Sequence, residues 1–166
     1  MDNKNEMLPI VDENGNVIGK MRREEAHDGS KKLHPVVHLH VFSPNGDIYL
    51  QKRPEWKDVQ PGKWDTAVGG HVDANENTST ALNREVKEEL GISDFHSVFL
   101  GRYIYESDME KELIHVHKTV YDGKLNPNKK ELAGGRFWTT EEIKKNIGKD
   151  VFTPNFEHEC IKFFIQ

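Results

Sequence analysis

The stretch from Gly70 to Ile92 constrains this chain most, because it reads as a loop that runs into an acidic helix. Positions i, i+3 and i+4 of a helix are neighbours about 5–6 Å apart, which sets Glu85, Glu88 and Glu89 side by side. Like charges at that spacing destabilise a helix unless a cation lies among them. Carboxylate oxygens suit Mg²⁺ or Mn²⁺, so the pattern indicates a metal site rather than an ordinary solvated helix face.

The same helix carries signals that place it against a sheet. An apolar stripe recurs at i, i+4 and i+8 beside the acidic one: Leu82, Val86 and Leu90. Burying that stripe aims the carboxylates along the rim of the sheet. Asn75 or Asn77 can cap the first turn, and Gly91 supplies the left-handed residue that ends the helix. Gly69 and Gly70 indicate a close backbone approach that leaves the Gly70 carbonyl available to a metal ion.

These residues have the spacing of the Nudix box, and the chain resembles the Nudix hydrolase family on that account. The box positions are Gly70, Glu76, Arg84, Glu85, Val86, Glu88, Glu89, Gly91 and Ile92. The resemblance implies a mixed β-sheet between α-helices, of the α/β (α+β) class, and a MutT-like pyrophosphohydrolase. The expected ligands of its Mg²⁺ or Mn²⁺ are Glu85, Glu88, Glu89 and the Gly70 carbonyl.

Length and charge limit the remaining possibilities. A chain of 166 residues without repeats is expected to form a single domain, residues 1–166. The formal net charge of −5 and the lack of a basic stripe argue against binding a nucleic acid polymer. No run approaches the roughly 18 apolar residues of a membrane span, so we expect a cytoplasmic protein with no membrane partner. The single cysteine, Cys160, excludes an intrachain disulfide. The sequence does not specify the oligomeric state, and a homodimer is one possibility.

Alternating and turn-flanked segments predict more strands than helices. An Asn-Gly turn predicts an N-terminal hairpin over residues 8–21, and residues 34–42 alternate as a half-buried strand. One face of that strand carries His34, Val36, His38 and His40. Further strands are predicted over residues 48–52, 64–68, 95–105, 112–121 and 135–138. Thr139 is expected to open a short helix, and Thr153 a final helix over residues 153–166.

Outside the box the chain resembles type I isopentenyl diphosphate isomerases and the hydrolases similar to them, over about residues 8–140. The resemblance implies a second divalent metal, Mn²⁺ or Zn²⁺, held by His27, His34, His71, Glu110 and Glu112. It also implies that Arg53 and Lys57 bind the substrate diphosphate. The isomerases carry a proton-donating cysteine where this chain has Gly69, so the resemblance favours a hydrolase with an isomerase-like body.

The expected reaction is metal-assisted hydrolysis of a small-molecule diphosphate. We choose Glu88 as the base that takes the proton of the attacking water, with Glu112 or Glu131 as alternatives. Arg84 is expected to orient a carboxylate by pairing with Glu76 or a box glutamate. An isopentenyl diphosphate isomerase-like enzyme and a non-catalytic Nudix-like ligand-binding module are the competing interpretations.

Four further histidines allow two interpretations. They either line the substrate pocket or occupy a polar face of the sheet: His38, His40, His115 and His117. The box residues recognise only the diphosphate, and the rest of the ligand is bound by loops that vary freely. The sequence therefore leaves the substrate unspecified.

Overall fold

The computed structural model describes residues 6–130 and 132–165, and its centre is a mixed β-sheet with helices on both faces. The strands are β1 Met7–Val11, β2 Val17–Arg22, β3 Leu33–Phe42, β4 Ile48–Lys52, β5 Trp64–Thr66, β6 Val68–His71, β7 Val98–Glu106, β8 Lys111–Val120 and β9 Gly134–Trp138. The helices are a 3-10 helix at Arg23–His27, α1 Thr78–Leu90, α2 Thr140–Asn146 and α3 Pro154–Phe163. The predicted α+β class is confirmed.

Strand β3 organises the sheet. Strand β8 runs parallel to it along one edge, from the pair Leu33–Lys111 to the pair Phe42–Val120. The other edge of β3 is shared, because residues 36–39 pair with β6 whereas Val41 and Phe42 pair with β4. This arrangement sets Gly69 and Gly70 of β6 opposite His38 and Val37. Strands β1 and β2 form a separate hairpin.

The prediction that β3 is half-buried is wrong. Val37 and Leu39 pack in the cluster that includes the apolar stripe of α1, but the face expected to meet solvent is buried too. His34 and His40 are both 0% exposed. His40 contacts the rings of Phe156 and Phe164 in and after α3, which covers this second face. Alternation along one strand cannot show that another element covers its polar side.

The single strand predicted over residues 64–68 is in fact two strands. Strand β5 pairs with β4, whereas β6 pairs with β3, and Ala67 separates them. The chain therefore changes partner strand just before the box glycines.

The ends of the helices follow the capping signals. At α1, Asn77 Oδ1 accepts the Thr80 N–H at 2.8 Å, and Gly91 has a left-handed φ of 67°. Helix α3 opens with Thr153 as its cap and Pro154 in its first turn, and it ends at Phe163. Cys160 is buried in the core that α3 forms with β4. Within residues 6–130 and 132–165, no helix is long and apolar enough to cross a membrane.

Candidate active site

Arg84 ties the box loop to the box helix. Its Nε and Nη2 donate to the two carboxylate oxygens of Glu76, both at 2.8 Å, in the bidentate geometry that suits a guanidinium. Nη2 also donates to the His71 carbonyl at 3.1 Å, and Nη1 donates to Glu85 Oε1 at 2.8 Å. The bonds to Glu76 raise the pKa of Arg84 and lower that of Glu76. The sequence-predicted pairing with Glu76 is present, and Glu85 is oriented by the same guanidinium.

Gly70 permits the close contact between β6 and α1. A Cβ at position 70 would overlap the Glu85 carboxylate, so any other residue here would displace that carboxylate from its place beside Arg84. The two adjacent glycines thus bring the backbone of β6 against a box glutamate.

The box glutamates do not converge on one point. Glu89 is 8% exposed, and its Oε2 accepts the Gly69 N–H at 3.2 Å. Glu88 is 57% exposed in its side chain, and its Oε2 lies 3.6 Å from Arg84 Nη1. In the described parts of the chain, the three carboxylates do not form a group whose ligand atoms all lie within 4.8 Å. Arg84 instead contacts both Glu85 and Glu88, beside the position that the sequence assigns to a metal ion.

The five residues of the predicted second metal site do come together. We call them the histidine cluster: His27, His34, His71, Glu110 and Glu112. The three imidazole rings have centroids 5.3, 5.4 and 6.1 Å apart. His34, His71 and Glu112 each offer a ligand atom within 4.8 Å of the others. His27 Nδ1 lies 2.8 Å from Glu110 Oε2, which links the other two residues to the group.

Burial and like charge set the protonation of the histidine cluster. Burial lowers the pKa of His34, and it lowers that of His71 well below the usual value. Both imidazoles are therefore neutral near pH 7, which is the form that binds a metal. Burial, together with the charge of Glu110, raises the pKa of Glu112 to about 7. A cation placed here would stabilise the ionised form of that carboxylate.

The donor atoms of the histidine cluster fit a borderline divalent metal. Among the described residues, the buried nitrogens His27 Nε2 and His34 Nε2 make no hydrogen bond. Buried polar atoms are nearly always paired, so such atoms call for an explanation. At His27 the other ring nitrogen faces Glu110, and the hydrogen bond to Glu110 raises the pKa of His27. A carboxylate behind an imidazole commonly orients the imidazole toward a metal, and mixed imidazole and carboxylate ligands suit Mn²⁺ or Zn²⁺.

The two basic residues expected to bind the substrate occupy the loop before β5. Arg53 Nη1 lies 3.6 Å from Asp65 Oδ2, and its Nε donates to the Val59 carbonyl at 3.0 Å. Lys57 lies over the Trp56 ring, 5.0 Å from its centroid. Arg53 is thus anchored to β5, whereas Lys57 is carried by the loop.

Sequence reasoning missed a buried acid on α3. Glu159 is 0% exposed and accepts hydrogen bonds from three side chains, which with it form the Glu159 network: His38, His40 and Tyr103. Its distances are 2.8 Å to His38 Nδ1, 2.9 Å to His40 Nε2 and 2.6 Å to the Tyr103 hydroxyl. One signal could have found it, since Glu159 interrupts the apolar face of α3 between Phe156 and Phe163.

The four further histidines divide between the two faces of the sheet. His38 and His40 lie on the face covered by α3, where both contact Glu159. His115 and His117 contact the ring of Phe99, with centroids 6.4 and 5.4 Å from it. Burial lowers the pKa of His115 to about 4. The four residues therefore do not share one polar face of the sheet, and the interpretation that they line the substrate pocket stays a prediction.

Comparisons with known proteins give the family and the fold of this chain. The NUDIX domain model matches residues 32–156. An uncharacterised Nudix hydrolase of Streptomyces coelicolor is 31% identical over 157 residues, covering 93% of this chain and 86% of that protein. The isopentenyl-diphosphate Delta-isomerase 1 of Photorhabdus laumondii is 29% identical over 162 residues, covering 93% and 92%. The crystal structure of a Deinococcus radiodurans protein superposes with a TM-score of 0.80 at 21% identity, covering 96% and 99%.

The chain belongs to the Nudix family, as the box predicted. The relatives include both Nudix hydrolases and isopentenyl-diphosphate isomerases, which confirms the predicted branch. The predicted enzyme class, a Nudix hydrolase acting on phosphoric anhydride bonds, is confirmed at the level of the family.

Proposed function

We propose that this chain is a divalent-metal-dependent hydrolase that cleaves the diphosphate linkage of a nucleoside-diphosphate-linked or other organic diphosphate. The observation that carries the proposal is the way Arg84 holds the box. Its guanidinium fixes the loop through Glu76 and the His71 carbonyl, and it orients Glu85 on the helix. Glu85 is thus held in place before a substrate arrives, and such preorganisation is what catalysis by electrostatic stabilisation requires.

The residues have separate roles in this proposal. Mg²⁺ or Mn²⁺ at Glu85, Glu88, Glu89 and the Gly70 carbonyl would supply a Lewis acid for phosphate oxygens and a more acidic bound water. Glu88 takes the proton of the attacking water, and its 57% exposed carboxylate is open to solvent. Glu112 remains the alternative base, whereas Glu131 lies outside the described residues. Arg53 and Lys57 bind the diphosphate by charge.

The histidine cluster is the second metal site of the proposal. His34, His71 and Glu112 would hold Mn²⁺ or Zn²⁺, with His27 as a further ligand oriented by Glu110. The chain itself supplies the neutral imidazoles, and a cation would offset the burial and the charge of Glu110 that raise the pKa of Glu112.

A phosphate-release screen tests the function. Nucleotide sugars, dinucleotides, nucleoside triphosphates and isoprenoid diphosphates are each incubated with the protein, with and without Mg²⁺ or Mn²⁺. We expect metal-dependent release of phosphate or of a nucleoside monophosphate from at least one class. Glu88→Gln should lower kcat by about 100-fold or more. The matched control is Glu141→Gln, since Glu141 is exposed in the first turn of α2, and it should leave turnover unchanged.

The same screen separates the competing functions. An isomerase would interconvert five-carbon diphosphates without releasing phosphate, but position 69 is a glycine and offers no side chain to donate a proton. A non-catalytic module would bind a diphosphate without turnover. Metal-independent turnover, or full activity of Glu88→Gln, would contradict the mechanism proposed here.

A further inference from the structure

Glu159 requires a positive charge within its own network. Glu159 is 0% exposed, accepts the Tyr103 O–H and lies within 2.9 Å of two imidazole nitrogens. Burial raises its pKa, but His38 and His40 more than offset this and hold the pKa below the usual range, so the carboxylate is ionised. Burying an ionised carboxylate costs several kcal/mol unless a cation lies beside it. Two imidazoles contact it, those of His38 and His40. One of these rings must therefore be an imidazolium.

The structure assigns that charge to His38. His40 donates to Glu159 through Nε2, and among the described residues its buried Nδ1 has no hydrogen-bond partner. A buried N–H without an acceptor is costly, so His40 is neutral and its Nδ1 bears no proton. The side chain of His38 is 12% exposed, which lets its second nitrogen reach solvent or a ligand. Burial lowers the pKa of His38, but the adjacent Glu159 more than offsets this and raises it to about 9.

The free end of the His38 ring faces the box glycines. A Cβ at Gly69 would lie 3.2 Å from His38 Cδ2 and 3.4 Å from Nε2, so the imidazole fills the place of the missing side chain at position 69. The N–H of the same Gly69 donates to Glu89 Oε2 at 3.2 Å. His38 Nε2 and a box carboxylate thus approach one peptide unit. Asp65 and Glu112 also lie within electrostatic reach of His38.

We propose that His38 is a substrate-contacting residue whose Nε2–H donates to a phosphate oxygen of the diphosphate, and that Glu159 is its positioning residue. The inference rests on the proposed function, because the box glutamates beside Gly69 place the diphosphate within reach. Glu159 holds Nδ1 and thereby directs Nε2 toward the box. Removing one donor to a reacting phosphate typically lowers turnover by about 100- to 1000-fold.

Two variants of His38 separate substrate contact from structural support. His38→Asn keeps a donor in place of Nδ1 and removes Nε2, whereas His38→Gln places its amide near Nε2 and loses the bond to Glu159. We expect His38→Asn to lower kcat/KM by about 100-fold and His38→Gln by only about tenfold. A purely structural role predicts the reverse order, because only His38→Asn preserves the network. Thermal unfolding of each variant shows that it is folded.

The matched control is His40→Gln, which keeps a donor to Glu159 and lies away from Gly69. It should change kcat/KM by less than about threefold, since it makes no contact with substrate. Glu159→Gln, in contrast, removes the charge behind His38 and should lower kcat at most pH values with a smaller change in KM. Equal losses in His38→Asn and His40→Gln would overturn the proposal, as would full activity of His38→Asn.

A binding experiment keeps this inference separate from the proposed function. Calorimetry measures the Kd of methylenediphosphonate in the presence of Mg²⁺, which needs no turnover. His38→Asn should weaken this Kd by about tenfold, as expected for one lost hydrogen bond to a charged group. If the wild type hydrolyses no diphosphate but His38→Asn still weakens the Kd by this amount, the proposed function fails and the role of His38 stands. If the wild type hydrolyses a diphosphate and the Kd is unchanged, the role of His38 fails.

Discussion

The Glu159 network and the histidine cluster lie on the same face of β3, and their charges are balanced in different ways. In the Glu159 network one buried acid accepts three hydrogen bonds, and the compensating charge comes from His38. In the histidine cluster Glu110 and Glu112 repel each other, and two ring nitrogens have no hydrogen-bond partner among the described residues. His40 Nδ1 of the first group also lacks a partner among the described residues, so the two groups differ in charge: that of Glu159 is balanced within the protein, whereas the second group calls for a cation from outside.

The difference shows what decides the role of a histidine on a strand. His34, His38 and His40 point to the same side of β3, and the sequence gives no reason to treat them differently. Helix α3 brings a carboxylate to His38 and His40, while β6 and the 3-10 helix bring two more imidazoles to His34. The element that covers each residue thus determines whether it forms an ion pair or becomes a candidate metal ligand.

The largest expected effect comes from removing the acid of each group in metal-free protein. Glu159→Gln leaves the His38 imidazolium buried without its counter-charge and should destabilise the fold by about 3–5 kcal/mol. Glu112→Gln removes one of two repelling carboxylates and should change stability by less than about 1 kcal/mol. Urea unfolding with a chelator present measures both. Similar losses in the two variants would show that the groups do not differ as described.

Metal should stabilise one group only. Zn²⁺ at about 100 times its Kd should add about 2.7 kcal/mol to the free energy of unfolding of the wild type. His71→Ala should abolish this gain, because His71 belongs to the convergent triad. His40→Ala loses stability but should keep the metal-dependent gain in full. Thermal unfolding with added metal and with chelator checks the pair, and a gain that survives in His71→Ala would place the metal elsewhere.

His38 of the Glu159 network and His71 of the histidine cluster should contribute to the pH dependence of stability with opposite signs. The pKa of His38 is raised from 6.5 to about 9, so its contribution of roughly 3 kcal/mol is present in full below pH 6.5 and is lost as pH rises through 9. The pKa of His71 is lowered, so the unfolded chain binds its proton more readily and stability falls as pH drops below 6.5. Urea unfolding across this range tests both signs. His38→Asn should flatten the alkaline limb and His71→Asn the acidic one.

The smallest effect is expected at the edge of the histidine cluster. Glu110 lies behind His27 rather than in the triad, so Glu110→Gln should weaken metal binding by about tenfold without abolishing it. Calorimetric titration with Zn²⁺ measures the change. A complete loss of binding in Glu110→Gln would make that residue a ligand instead of an orienting carboxylate.

Local chemistry fixed the elements that the sequence predicted well. The cap at Asn77, the left-handed Gly91 and the apolar stripe of α1 follow from interactions within a few residues, and each is present in the structure. The capping box at Thr139 is also present, with Glu142 as its partner. The spacing of the box residues was sufficient to predict the family, because these residues all lie in one helix and the loop before it.

Long-range packing determined the contacts that the sequence did not predict. Glu159 lies more than a hundred residues from His38 and His40 in sequence, so no local pattern could pair them. The position of Arg84 between Glu85 and Glu88 likewise depends on how the loop folds back on the helix.

Spacing along the chain was enough to predict the family and the acidic helix, because both depend on residues that are close in sequence. Only the tertiary structure decided which histidines meet a carboxylate and which meet one another. The reason is that burial and electrostatic pairing act between elements that are distant in sequence. Whether they raise or lower the pKa of a histidine depends on which groups the fold places within a few ångströms of it, in a low-dielectric interior.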